Sequence, residues 1–115
     1  MYQFSYAEIM ADDVADAKER EIQVLDKAIA MLHAAAGKGR DSSVAVEALF
    51  FTRRVWIAFI DDLRSPENQL PTDLRADLIS IGIWVLKEIE RIRLRKSENF
   101  QGIADIITII RDGLK

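Results

Sequence analysis

The sequence predicts an all-α fold, a small four-helix bundle-like domain with a short aromatic N-terminal arm, with residues 1–115 as one unit. Three observations point there. Apolar residues recur at steps of three and four in four segments, the spacing that lines one face of a helix. Two breaks, GKGRDSS at 37–43 and SPENQLP at 65–71, separate these segments, and the second holds the only prolines, Pro66 and Pro71. Neither break is long enough for a domain linker, and a chain that is 50% apolar can build one core without staples.

The first helix is expected from about Asp12 to Ala36. Ile22, Leu25, Ile29, Leu32 and Ala36 form a narrow stripe, and Asp12, Asp13 and Asp16 would sit in its first turns, where the dipole favours acids. Two glycines end that pattern, and Asp41, Ser42 or Ser43 is placed to cap the next helix. That second helix is expected over Ser43–Arg64, with Leu49, Val55, Trp56, Phe59, Ile60 and Leu63 on a broad apolar face. Phe50 and Phe51 point about 100° apart, so they should meet different neighbours.

The third helix is expected from Asp73 to about Lys96, capped by Thr72. It carries two stripes. Leu74, Leu78, Ile81, Val85, Ile89 and Ile92 form the first; Ile79, Ile83 and Leu86 form the second, with Gly82 and Trp84 between. A helix apolar on most sides must be covered on most sides, by the fourth helix or by a partner. After Ser97, the stripe Phe100–Ile103–Ile107–Ile110–Leu114 predicts a fourth helix, with Ile106 and Ile109 off the line. Its many β-branched residues suit a strand as well, but a lone strand would have no sheet to join.

Composition narrows the chemistry. Without cysteine there is no thiol catalysis, disulfide or cysteine-ligated metal. The single histidine, His33, has no serine or second histidine at triad or ligand spacing, so it reads as a structural residue near a helix end. Asp12–Asp13 and Asp61–Asp62 are adjacent pairs that diverge on a helix and make no carboxylate dyad. No phosphate-loop, dinucleotide, calcium-loop or zinc-protease pattern occurs. No enzyme, catalytic residue, metal or cofactor is therefore expected. MYQFSYAEIM lacks the basic and apolar regions of a signal peptide, and Leu78–Leu86 is about half the ~20 residues a membrane span needs. The expected location is cytoplasmic.

Charge is uneven. Residues 1–36 carry seven acids and three bases, while KEIERIRLRK at 87–96 carries five bases and two acids. Lys87, Arg91 and Arg95 form a short ridge that would suit RNA phosphates. Glu88 and Glu90 weaken it, no aromatic platform interleaves, and a basic helix end complements the dipole, so direct nucleic-acid contact is not expected.

The candidate partner-binding residues are Tyr2, Phe4 and Tyr6 of the arm, Phe50, Arg53 and Arg54 of the second helix, and Ile83 and Trp84 of the third. Aromatics and arginine carry much of the energy of protein interfaces. Arg53 and Arg54 have a plainer reading too, with stems covering the core edge and charges in water. Arg53, four after Leu49, lies nearer the Leu49–Phe50–Trp56 side.

MYQFSYAE, ALFFTRRVWIAFIDDL, SPENQLPTDLRADLISIGIWVLKEIERIR and the ending IIRDGLK closely resemble the flagellar biosynthesis regulator family FlaF. FTRRVW at 51–56, ENQLP at 67–71 and LISIGIW at 78–84, in that order, make a specific combination over essentially the whole chain. The resemblance implies an alphaproteobacterial cytoplasmic factor that promotes flagellin production and filament assembly. It implies chaperone-like action on flagellin before export, and a link to a separate regulator of flagellin mRNA translation. It supplies no catalytic residue or cofactor. The alternatives are a regulator of that translation, acting by RNA contact or through the second regulator, and a self-assembling structural protein. Oligomeric state is left open.

Overall fold

The computed structural model describes residues 6–113, with side chains from residue 17 onward. Four helices occupy them: α1 Tyr6–Lys38, α2 Ser43–Arg64, α3 Thr72–Arg93 and α4 Phe100–Gly113, with no strand among the described residues. α1 lies between α2 and α4, and α3 packs on the far side of α2. No extended contact joins α3 to α4 or to α1. The result is an all-α bundle that is open along one side. Its extents are 57 × 33 × 19 Å, the longest set by α1, which at ~1.5 Å per residue spans about 50 Å.

α1 starts earlier than the sequence suggested. It opens at Tyr6, so Asp12, Asp13 and Asp16 lie beyond its first turn and cannot act as dipole-complementing first-turn acids. The expected arm loses Tyr6 to the helix; Tyr2 and Phe4, like the Tyr6 side chain, lie outside the described residues. Nothing between Tyr6 and Asp12 is a breaker, so the helix had no reason to wait for the acids. Its buried line is Leu25, Ala28, Leu32 and Ala35, rotated from the expected stripe, with Ala36 exposed. A central helix needs small residues facing neighbours on two sides. Ala45 and Ala48 of α2 and Ala104 of α4 complete that close approach.

The α1–α2 turn begins at Gly39, whose φ of 88° suits glycine, and Ser42 caps α2 by accepting from Ala45 N at 3.1 Å. At the other junction Thr72 is the first helical residue and makes no cap. Pro71 holds the cap position and offers no side-chain bond, though its carbonyl accepts from Arg75 N. The loop is fastened by side chains instead: Asn68 Oδ1 accepts from Leu70 N at 3.0 Å, and Ser65 Oγ from Glu67 N at 3.2 Å.

α3 also stops short of Lys96. Leu94 is its C-cap, Arg95 takes φ 61°, and Lys96 N donates to Arg91 O while Arg95 N donates to Ile92 O. This is a Schellman ending with arginine where glycine is usual. Ser97 then links the turn to α3 by donating to buried Glu88, and Asn99 Oδ1 caps α4 by accepting from Gly102 N at 3.0 Å. A Cβ on Gly102 would sit 2.3 Å from Asn99 Nδ2, so this cap needs the glycine.

The core runs from Leu25 and Leu32 through Leu49, Val55 and Trp56 to Val85, Ile89 and Ile92, and across α1 to Phe100, Ile103 and Ile107. Each fully buried large side chain contributes roughly 1.5–3 kcal/mol of transfer free energy. Arg111 locks α4 to α1 with two bonds to Asp26, at 2.6 and 3.3 Å. The hydrogen bonds to Asp26 and Asp112 raise its guanidinium above its ordinary value.

Candidate docking site

The sequence-predicted residues do not converge on one site. Phe50 and Arg53 meet in a groove between α2 and α3, with a volume of about 480 Å³. Val46, Leu49, Ile89 and Ile92 give it an apolar floor, and Arg40, Asp41, Arg93 and Arg95 its rim. Phe50 is 62% exposed, with the Arg54 guanidinium 5.8 Å from its ring centre. Phe51 turns the other way, half-buried against the core with Lys27 Nζ 4.7 Å from its ring. The two phenylalanines therefore do serve different neighbours.

Four arginines line that groove, yet their charges are differently committed. Arg93 pairs with Glu90 at 2.7 Å and Arg95 with Asp41 at 2.9 Å, while Arg40 lies 3.9 Å from Glu98. Arg53 has no ion pair or hydrogen bond among the described residues. Its guanidinium is the one in this groove left for an outside carboxylate. Arg54, one residue on, lines a separate depression of about 460 Å³ between α1 and α2 with Arg20, Val24, Phe51 and Phe59.

Ile83 and Trp84 lie away from both hollows, on the face of α3 turned from α2. They are 43% and 41% exposed. On the opposite face Gly82 lets α2 approach closely: a Cβ there would stand 2.9 Å from both Trp56 Cε3 and Ile60 Cδ1. The second stripe thus divides. Ile79 and Leu86 are half-buried, and Ile83 is left outside with Trp84. α4 does not cover it.

The basic ridge is broken. Arg95 lies past the end of α3 and points to Asp41, so it no longer continues the line of Lys87 and Arg91. Arg91 is 3.6 Å from Glu88 and donates to Lys96 O. His33 is exposed, its Nε2 3.4 Å from Gln101 Nε2. Among the described residues no group of three or more histidine and acidic side chains stands where it could hold a metal, and no helix is long and apolar enough to cross a membrane.

One hollow had no counterpart in the sequence reading. At the far end of the bundle a cleft of about 400 Å³ opens between α1, α2, the 65–71 loop and the ends of α3 and α4. Leu25, Trp56, Phe59, Leu63, Leu70, Leu78 and Ile110 line it. Its charged lining residues, Glu21 and Asp62, are both acidic. Burial first, and then the Asp62 carboxylate, raises the Glu21 carboxyl above its ordinary value against the pull of Lys18. Trp56 is 1% exposed and stacks edge-on to Phe59 at 5.7 Å, and its indole N–H has no acceptor among the described residues. A buried donor without a partner costs about 1–3 kcal/mol. Asn68, Gln69 and Leu70 of ENQLP, a segment the sequence marked as a break and as part of the family resemblance, form the lip of this cleft.

Fold and surface describe a small all-helical protein with open apolar hollows and an exposed aromatic on one outer helix. The chain belongs to the flagellar protein FlaF family, whose model matches residues 2–114. Membership gives it a regulatory role in flagellar biosynthesis. No curated protein and no solved structure matches it.

Proposed function

We propose that this protein promotes flagellin synthesis, export and filament assembly by binding flagellin in the cytoplasm, as a chaperone that covers apolar helical segments before export. The observation that carries this reading is the outer face of α3. Ile83 and Trp84 stand over two-fifths exposed on a helix whose other face packs on α2. An amphipathic segment laid against such a face is a recurrent mode of recognition, and large aromatics serve as its anchors. Phe50 with unpaired Arg53 offers a second point of contact, apolar and cationic.

Co-purification with flagellin, followed by affinity measurement with purified components, tests the proposal. Trp84→Leu is expected to keep its melting temperature within a few degrees while weakening flagellin binding about thirtyfold, equivalent to roughly 2 kcal/mol. Full retention of binding in the folded variant removes Trp84 from the site. The alternative is action on flagellin mRNA translation, by RNA contact or through a second regulator protein; the ion pairs that engage Arg91 and Arg95 count against the RNA-contact form alone. Submicromolar, sequence-selective RNA binding by the protein alone at physiological salt would promote it.

A further inference from the structure

We infer that the acidic-rimmed cleft between α1, α2 and the 65–71 loop is a docking site for an amphipathic helix of another protein, one whose apolar stripe is flanked by a basic side chain. The cleft is separate from the outer face of α3, and the inference stands whether or not flagellin supplies the helix. Three features of the molecule lead to it.

The first is shape. A volume of about 400 Å³ lies in the range of functional pockets, ~300–1,000 Å³, and the walls are leucine, isoleucine and aromatic side chains. Glu21 and Phe59 line both this cleft and the depression beside Phe51, so the two hollows adjoin along the α1–α2 seam, acidic at the Asp62 end and basic, through Arg20 and Arg54, at the Phe51 end. From Phe51 to Leu63 that seam follows twelve residues of α2, or about 18 Å at ~1.5 Å per residue. Three turns of a partner helix fit that length.

The second is charge. Glu21 and Asp62 stand at the rim close enough for one carboxylate to oppose ionisation of the other. No base lines this end of the seam, although Lys18 acts on Glu21 from nearby, while Arg20 and Arg54 line the Phe51 end, so the partner's base belongs at the Asp62 end. A lysine or arginine entering beside the apolar stripe relieves that repulsion, whereas an acidic helix adds to it. The third is the floor. Trp56 packs its Cε3 edge toward Gly82, and the N–H on the other edge of the indole has no acceptor. The lip is held in shape by Asn68, whose side chain accepts from Leu70 N and donates to Asp62 Oδ2 at 3.3 Å. One residue thus sets both the apolar lip and an acid of the rim.

The test uses the full chain and two labelled 18-residue helical peptides. Both carry leucine at i, i+3, i+4 and i+7; one has lysine beside the stripe, the other glutamate in its place. Fluorescence anisotropy is expected to show the lysine peptide binding at least tenfold more tightly. Leu70→Glu should abolish that binding, and Glu21→Lys should reverse the preference between peptides. Both changes are at exposed positions, and circular dichroism checks that each variant is folded. In nitrogen–proton spectra the Trp56 indole resonance should move on adding the lysine peptide while that of Trp84 stays in place. Absence of binding by either peptide overturns the inference, as does equal affinity for both or an unchanged affinity in Leu70→Glu. A concentration-dependent dimer lost in Leu70→Glu, seen by sedimentation, also overturns it, because a second copy of this chain would then be the occupant.

Discussion

α3 and α4 are the two outer helices of the bundle, each resting on one neighbour, and they spend their apolar residues differently. α4 is 14 residues long and commits one line, Phe100, Ile103, Ala104 and Ile107, to α1. Only Ile109 is left well exposed. α3 is 22 residues long and buries Gly82, Val85, Ile89 and Ile92 toward α2, but Leu74, Ile83 and Trp84 remain in solvent. Both helices make one contact face, so the surplus on α3 arises from its sequence and not from poor packing. A second stripe on a helix with a single neighbour has nowhere to go within the chain. That separates a helix built to hold the fold from one that also offers a surface.

The commitment of α4 to the core is concentrated at Phe100. This ring is 1% exposed at the start of α4, and its truncation leaves a cavity in the common core. Phe100→Ala is expected to cost about 3–5 kcal/mol, a large share of the ~5–15 kcal/mol that holds a domain together. Urea unfolding followed by circular dichroism measures it. A loss below about 1 kcal/mol would mean that α4 is no more committed to the core than the outer face of α3.

On α3, the close approach to α2 depends on Gly82. Adding a methyl would place Cβ against Trp56 Cε3 and Ile60 Cδ1, both at 2.9 Å. Ile60 Cδ1 is the end of a flexible chain and can turn aside, but the Trp56 ring is wedged in the core. Overpacking of this kind costs about 1–3 kcal/mol. The better helix propensity of alanine returns up to about 1 kcal/mol. Gly82→Ala should therefore lose about 1 kcal/mol net in thermal or urea unfolding. A gain in stability would show that α3 does not need this close approach to α2.

α2 was legible at both ends, because Ser42 and the loop around Pro66 are local signals that act on the backbone directly. The N-terminal limit of α1 was not, since a helix with no breaker can continue past its last clear stripe. Alanine hid the true inner face of α1. Ala28 and Ala35 favour a helix wherever they point, so their burial is decided by neighbours the sequence does not name. Arg95 in the left-handed region gave no warning, because glycine is the usual marker there. Of the candidate site, the Phe50–Phe51 divergence and the separation of Arg53 from Arg54 followed from helical spacing. The acidic cleft did not, because Glu21 and Asp62 come from different helices and meet only through tertiary packing.

The smallest expected effect concerns Glu21. It lies on the cleft beneath α3's loop, at the end of the molecule where the helices spread apart. Burial and Asp62 raise its carboxyl above the ordinary value, which means that the folded protein holds the proton more tightly than the unfolded chain does. Stability from this group is therefore fully present at low pH, below the ordinary glutamate range, and is lost as pH rises through the raised value. At neutral pH the ionised Glu21 opposes folding. Glu21→Gln removes that opposition and keeps the shape, so it should stabilise the protein at pH 7. Because the side chain is largely solvated, the gain is discounted to about 0.3 kcal/mol, within the range measured for exposed charge pairs. That corresponds to roughly 1–2 °C in melting temperature for a domain of this size. The same comparison at a pH well below the ordinary carboxylate range should show no gain, since Glu21 is then protonated in both states. A variant less stable than the parent at pH 7 would show that Lys18 outweighs burial and Asp62 together, and would leave the rim of the cleft without the net negative charge that selects a basic partner.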